Sequence, residues 1–409
     1  MPALIPITTT RVSEHRPLLD LLPNPDSFSW VRREEGLVGW GIHATTMVRG
    51  EHRFAQAREW WHDQLGKLAS TDFVHDTGTG PILFSSFSFS SAEESVLVIP
   101  KVVVGRRAEK SWITWIGDQP QPELVEEPVP LNPRQYAWQD GTLTPFQWEE
   151  QVAYAIEAIK EGTIDKVVLA RDVIATAKDV IDPRVILRNL AVEYPSTWVF
   201  SNTGLVGATP ELLLRLNKDM VTSRVLAGTI SKTGDDEKDL ALSASLARSS
   251  KDLEEHMYAV RSVAESLAPF CSSTNVPDSP YVLHLANVMH LASDVTGAVA
   301  DTLKHIDVFS ILEKLHPSAA VCGTPTSIAA DVIANLEGMS RGRYAGPVGW
   351  IDARGDGELG IALRCGQISG NEIRLFAGCG IVAGSSPEKE LAESQVKFAP
   401  MMNALGDVD

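Results

Sequence analysis

Cysteine is scarce in this chain, with four in 409 residues, at Cys271, Cys322, Cys365 and Cys379. No two form a C-x-x-C pair, which excludes a disulfide framework or a zinc ribbon and leaves buried reduced thiols. Long apolar runs are also missing. None approaches the ~20 residues of a spanning helix, and the opening M-P-A-L-I-P-I-T-T-T has no basic segment ahead of an apolar core, so a cytoplasmic protein away from the membrane is expected. Basic charge is short as well, 36 Lys and Arg against 53 Asp and Glu, for a net charge of -17. That field repels phosphate backbones and anionic lipid, so nucleic acid and membrane are not expected partners. A small anionic substrate still binds where a few basic groups or a metal reverse the potential locally. The hydrophobic fraction is ordinary, 44%, enough for one large packed domain.

The first 117 residues read as strands: V-G-W-G-I from Val38, I-L-F-S-S-F-S-F-S from Ile82, V-L-V-I-P-K-V-V-V from Val96 and W-I-T-W-I from Trp112. A helix over 54–68 interrupts them, and nothing there carries a chemical motif. Residues 118–133 hold five prolines with no regular period, a linker or surface crossing that sets off an N-terminal lobe, 1–135, from the rest of the chain, 136–409. Thr144-Pro-Phe-Gln147 is a capping box, and Val152, Ile156 and Ile159 carry its helix to Gly162.

Charged groups then enter apolar surroundings. Lys166 opens the strand K-V-V-L-A-R, where an ammonium is costly unless paired or functional; snorkelling at the strand edge is the structural alternative. Glu211 sits between Pro210 and three leucines, which raises a carboxyl pKa as a general acid requires. A strand over 223–230 contains the Gly228-Thr229 step, and T-G-D-D-E-K-D after it reads as a solvated loop. Leu253, Met257, Val260, Ala264 and Leu267 mark a helix whose stripe leaves Glu255 on the surface. His284 and His290 share one strand-like stretch, where a histidine is more often a satisfied core group than a ligand. Residues 316–325, H-P-S-A-A-V-C-G-T-P, read as a loop, and strands joined by A-R-G-D-G and S-G-N turns follow. Hairpins rather than crossover helices favour antiparallel sheets.

The densest signal is L-F-A-G-C-G-I-V-A-G-S-S-P-E-K-E-L-A-E-S-Q-V-K, residues 375–397. A strand ends near Ala377, Gly378, Gly380 and Gly384 allow turning or close approach, and Ser386-Pro387 starts a helix. Glu390, Glu393 and Lys397 fall on one face of it, suited to a hard cation beside an anion; an ion-paired solvated face is the bland alternative. A dinucleotide loop would need the glycines to open directly onto a helix in a βαβ unit, which the hairpins disfavour.

In order, D-K-V-V-L-A-R, G-A-T-P-E-L-L-L, S-R-V-L-A-G-T-I, K-D-L-E-E-H, H-P-S-A-A-V-C-G-T-P, R-Y-A-G-P-V-G-W, A-L-R-C and G-C-G-I-V-A-G-S-S-P-E-K-E resemble the chorismate-utilising enzymes, and among them the isochorismate synthases. They span about residues 144–399. The resemblance implies a single large α+β domain with two large antiparallel β-sheets packed face to face and helices outside. It implies Mg²⁺ and chorismate as substrate, with Glu255 and Glu393 as metal ligands and Glu390 and Glu254 nearby. Lys166 corresponds to the general base and Glu211 to the general acid. Tyr344, Arg364, Gly378 and Lys397 correspond to the carboxylate cradle, with Gly228, Thr229 and His290 around the ring. Ammonia-using relatives generally lack the lysine at position 166 and depend on a glutaminase, so a monomer with no glutaminase subunit is expected. Relatives that go on to salicylate commonly carry Thr where this chain has Ala320, so isochorismate is the expected product. Leu253 and Ser318 depart from the Arg and Thr usual at those positions, and the resemblance implies no chemical role for either replaced group.

Overall fold

Side-chain alternation sets the layers. In the strand Trp198–Asn202, Trp198 and Phe200 enter a central core, while Val199 turns to a second one beneath the helices. The computed structural model describes residues 3–125, 127–129, 135–300 and 306–406. Among them 21 strands form one hydrogen-bonded network. One arm runs from Lys166–Ala177 through Glu372–Ile381, Cys365–Ser369, Leu205–Thr209, Trp198–Asn202 and Phe28–Arg32 to Glu35–Val48. The other runs from Ser95–Arg107 through Ile82–Ser86, Pro347–Asp352, Gly357–Ile361, Leu212–Asn217 and Met220–Ser231 to Val288–Val299. The long strands Glu35–Val48 and Ser95–Arg107 pair with each other and join the arms. The α+β, antiparallel architecture is as expected, except that the two sheets are continuous through this pair. Of the described pairings only Ile5–Val12 with Leu68–Asp72 is parallel.

The central core takes Trp30 and Phe200 from the first arm, Leu214 and Trp350 from the second. Outside the first arm, Ile186 and Phe398 of the helices Pro183–Glu193 and Pro387–Leu405 cover Val199 and Leu375. Burying such side chains is worth about 1.5–3 kcal/mol each before chain entropy is subtracted.

The capping box at Thr144 forms, with both reciprocal bonds. The first helix spans Arg53–Leu65, slightly earlier than expected. All four cysteines are free thiols, and only Cys271 is partly exposed. Part of the proline-rich crossing, residues 126 and 130–133, lies outside the described residues.

Four local expectations need correction. The strand Glu372–Ile381 continues through Gly378 and Gly380, because its partner Lys166–Ala177 supplies a ladder along the whole length. The glycines therefore remove side chains from a sheet face rather than making a turn, and no βαβ loop exists here for a dinucleotide. The acidic stretch after Gly234 is capped by Asp235 and becomes the helix Asp236–Leu246. The histidine-bearing stretch is a hairpin, Tyr281–His284 and Val288–Val299. In the helix Ser250–Leu267 the buried face is His256, Ala259, Val263 and Leu267, while Met257 is exposed. The stripe was displaced because a polar residue, His256, belongs to the buried face; its Nε2 lies 2.8 Å from Ser293 Oγ.

Candidate active site

The facing positions of four strands and two helices enclose a cavity of about 60 Å³. In Lys166–Ala177 the even-numbered side chains turn towards it, and Val168 lines it. Lys166 lies one step below, 0% exposed, with Nζ 3.5 Å from Glu255 Oε1 and 3.5 Å from the Glu255 carbonyl. Burial pushes its pKa down, against the opposing pull of Glu255 and Glu211.

Glu211 follows Pro210 in the short link between Leu205–Thr209 and Leu212–Asn217, where Thr209 Oγ1 accepts from its backbone N–H at 3.2 Å. Burial raises its carboxyl to about 8, the downward pull of Lys166, Arg364 and Lys397 notwithstanding. The acid is thus protonated at neutral pH while the lysine is pushed towards neutrality, the arrangement needed to give a proton in one place and take one in another.

A bulge in Met220–Ser231 brings in the next groups. The register slips between Ala227 and Thr229, and Gly228 takes φ +77, where a Cβ would also meet Asp252 Cβ at 2.9 Å. Its carbonyl lies 3.3 Å from His290 Nδ1, and Thr229 Oγ1 lies 3.2 Å from the same nitrogen. Arg364 Nη2 is 3.3 Å from His290 Nε2. A guanidinium only donates, so Nε2 accepts and Nδ1 carries the hydrogen, donating to the Gly228 carbonyl. Burial and Arg364 hold the imidazole well below its ordinary pKa, hence neutral.

At the other end Lys397 Nζ is 2.9 Å from the Gly378 carbonyl and 2.5 Å from Glu393 Oε1. Tyr344 stacks on Phe376 with centroids 5.0 Å apart, and a Cβ at Gly378 would come within 2.8 Å of its hydroxyl. Ala320 lines the same wall. Cationic Arg364 and Lys397, with the Tyr344 hydroxyl, make that end a carboxylate receiver.

Eleven of the residues singled out from the sequence line this cavity: Glu211, Gly228, Thr229, Glu255, His290, Ala320, Tyr344, Arg364, Gly378, Gly380 and Lys397. Lys166, Glu390 and Glu393 sit just behind the wall. Glu255, off the expected stripe, is turned inward beside Gly380, where a Cβ would lie 2.0 Å from its Oε1. Glu254 is exposed and does not line the cavity. Each remaining carboxylate faces an ammonium: Glu255 faces Lys166, Glu393 faces Lys397, and Glu390 meets Lys251 at 2.6 Å. Glu390 and Glu393 approach each other and Cys379 within 4.8 Å. Burial and Glu393 raise the Glu390 carboxyl, whereas Lys397 and Lys251 hold Glu393 low against its burial. The Cys379 thiol, pushed well up by burial, stays protonated and is a poor ligand. Hard oxygens dominate the donor set, which fits Mg²⁺.

Two contributors escaped the sequence reading. Lys251 opens K-D-L-E-E-H, yet its pairing with Glu390 lies 139 residues away in sequence. Arg341, 3% exposed, donates to the Val168 carbonyl at 2.7 Å and the Val321 carbonyl at 2.9 Å, and pairs with Glu337 at 2.5 Å. It ties the loop bearing Ala320 to the strand bearing Lys166. The available signal was Glu337 and Arg341 at i, i+4.

Residues 20–406 match the family model for chorismate binding enzyme. Isochorismate synthase MenF of Bacillus subtilis is 32% identical, covering 93% of this chain and 88% of its own length. A putative isochorismate synthase MenF of Mycobacterium tuberculosis is 36% identical over 81% of this chain and 88% of its own. Among solved structures, a putative 2,3-dihydroxybenzoate-specific isochorismate synthase, DhbC, of Bacillus anthracis superposes with TM-score 0.80 at 28% identity, over 95% of this chain and 99% of that one. With the family model matched over nearly its whole length, and the carboxylate receiver beside a buried acid and lysine, the chain belongs to the chorismate-binding enzymes.

Proposed function

We propose that this enzyme is an Mg²⁺-dependent isochorismate synthase. Water adds at C2 of chorismate, the C4 hydroxyl departs and the ring double bonds shift between them. Lys166 takes the proton of the incoming water, and Glu211 gives one to the leaving hydroxyl. The observation that carries this reading is Glu211 in the cavity wall with Lys166 buried just behind it, their pKa values displaced in opposite directions. Several relatives named isochorismate synthases support it. Glu255, Glu393 and Glu390 would hold Mg²⁺, which supplies an anchor for the ring carboxylate and offsets the negative field. Arg364, Lys397 and Tyr344 orient the carboxylates, and neutral His290 faces the ring. No helix among the described residues is long and apolar enough to cross a membrane, in keeping with a small-molecule enzyme. The reaction uses water rather than ammonia, so no glutaminase subunit is required. Menaquinone and siderophore synthesis are both served by isochorismate; a solved neighbour from Escherichia coli is named a menaquinone-specific isochorismate synthase, and a relative from Vibrio cholerae a vibriobactin-specific one.

Ala320 separates this reading from salicylate formation. It presents only a methyl group to the cavity, with no hydroxyl to hold the intermediate for pyruvate loss. Purified protein with chorismate and Mg²⁺ near neutral pH should accumulate isochorismate by chromatography, with at most traces of salicylate fluorescence and pyruvate. Salicylate rising mole for mole with chorismate loss would overturn the product assignment; no chorismate consumption at all would overturn the function.

A further inference from the structure

A second hollow, about 480 Å³, stands back to back with the substrate cavity, and Arg341 forms part of the wall of both. It opens at the start of the helix Arg53–Leu65, whose N-cap residue His52 makes no side-chain cap bond. Arg53 is 5% exposed and has no ion-pair partner among the described residues. Its guanidinium lies 4.7 Å over the Phe54 ring, touches only the Gly50 carbonyl at 3.5 Å, and leaves Nε without a hydrogen bond. The Arg53 backbone N–H is taken by the Gly50 carbonyl at 3.1 Å and Glu313 is the nearest acidic influence on the guanidinium, beyond ion-pair distance, so a buried cation at a helix start without a side-chain cap is left with room to receive an anion.

Two other buried polar atoms of residues lining the hollow are also unpartnered: Glu93 Oε2 and His316 Nδ1. His316 is 6% exposed and its Nε2 lies 3.2 Å from the Phe89 carbonyl, which can only accept. Nε2 therefore carries the hydrogen and Nδ1 is a free acceptor. Burial keeps this imidazole neutral, at about 3. Glu93 uses Oε1 to accept from Ser340 and leaves Oε2 open. Between these groups the walls are Phe54, Phe89 and Met339. Glu51 and Glu313, both exposed, stand at the rim and disfavour a second negative charge.

We propose that this hollow is a second ligand site, taking a compact ring-bearing monocarboxylate that also carries a hydroxyl group. Its carboxylate accepts from Arg53 and the helix amides, its hydroxyl donates to Glu93 or His316, and its ring rests against Phe54 and Phe89. The rim acids distinguish it from the substrate cavity, which is built for two carboxylates.

The test is calorimetric titration of the full-length protein with 3-hydroxybenzoate, benzoate and inorganic phosphate. Saturable binding of 3-hydroxybenzoate is expected, with benzoate weaker by about tenfold for want of the hydroxyl and phosphate not binding at comparable concentration. Arg53→Gln should weaken 3-hydroxybenzoate at least about tenfold, whereas Arg364→Gln, on the substrate side, should leave it unchanged. Glu93→Ala combined with His316→Phe, which removes both acceptors, should erase the preference for 3-hydroxybenzoate over benzoate, and decides the matter alone if Arg53→Gln does not give a native circular dichroism spectrum. No saturable binding by the unaltered protein, equal binding of phosphate, or loss in Arg364→Gln with retention in Arg53→Gln would each overturn the proposal.

Discussion

Replacing Glu211 by Gln should make the protein more stable while it destroys turnover, and the gain should depend on pH in a calculable way. Burial raises this carboxyl from 4.5 to about 8. Between those values the folded chain holds a proton that the unfolded chain has released, so stability falls as pH rises through the interval. Each pH unit corresponds to 1.36 kcal/mol, so the distance from 4.5 to pH 7 costs the fold about 3 kcal/mol. Glutamine keeps the shape and cannot ionise, so it removes that cost. The difference between Glu211→Gln and the unaltered protein should be near zero at pH 4, rise by roughly 1.4 kcal/mol per pH unit and level off near pH 8. Denaturant unfolding in steps from pH 4 to 8.5 reads it directly, with turnover measured on the same samples and expected to fall about 10²-fold or more. A stability difference that stays flat with pH would show that Glu211 is ionised in the folded protein, and its role as proton donor would go with it.

Three further substitutions probe the neighbours. Lys166→Ala should cut turnover about 10²-fold or more, and adding Glu211→Gln should cost little beyond the worse single variant; near-normal turnover of Lys166→Ala would remove it from the mechanism. Gly380→Ala forces a methyl group to within 2.0 Å of Glu255 Oε1, so the Mg²⁺ concentration for half-maximal rate should rise at least about tenfold, and an unchanged Mg²⁺ dependence would release Glu255 from the metal site. Lys251→Met removes the ammonium 2.6 Å from Glu390; Mg²⁺ affinity by calorimetry should increase several-fold while the melting temperature in chelator falls, and weaker Mg²⁺ binding would mean that Lys251 assists rather than competes.

Sequence patterns revealed what depends on local periodicity. The Thr144 capping box, the hairpins after Pro347 and the buried run behind Lys166 follow from neighbours within a few residues. Glu255 did not, because helical periodicity counts apolar residues and the site-facing side of that helix is polar at His256 and Glu255 alike. Gly378 and Gly380 leave a turn and a close approach both open for a related reason. Glycine signals a missing Cβ, and only the partner strand decides whether that absence serves a turn or a flat wall beside Tyr344 and Glu255. Arg341 and Lys251 stayed hidden because their partners are set by the convergence of distant segments. The resemblance assembled Lys166, Glu211 and Lys397 into one site where spacing alone could not, since they lie on three separate elements.

Two lysines beside one cavity illustrate how the fold differentiates identical side chains. Lys397 has Glu393 at 2.5 Å, four residues before it on the same helix, and that carboxylate holds it above the ordinary lysine pKa despite burial. Lys166 is more deeply enclosed, and its carboxylate, Glu255, stands at 3.5 Å, so desolvation prevails and the pKa falls. A lysine held charged suits the holding of a carboxylate, and one whose pKa burial lowers is better suited to taking a proton. In a chain of net charge -17, the first role needs a local acid to keep the ammonium charged, and the second needs that acid kept at a distance. On the proposed mechanism, exchanging the two distances would exchange the roles, so the spacing of the paired glutamates, more than the lysines themselves, would decide which one binds and which one reacts.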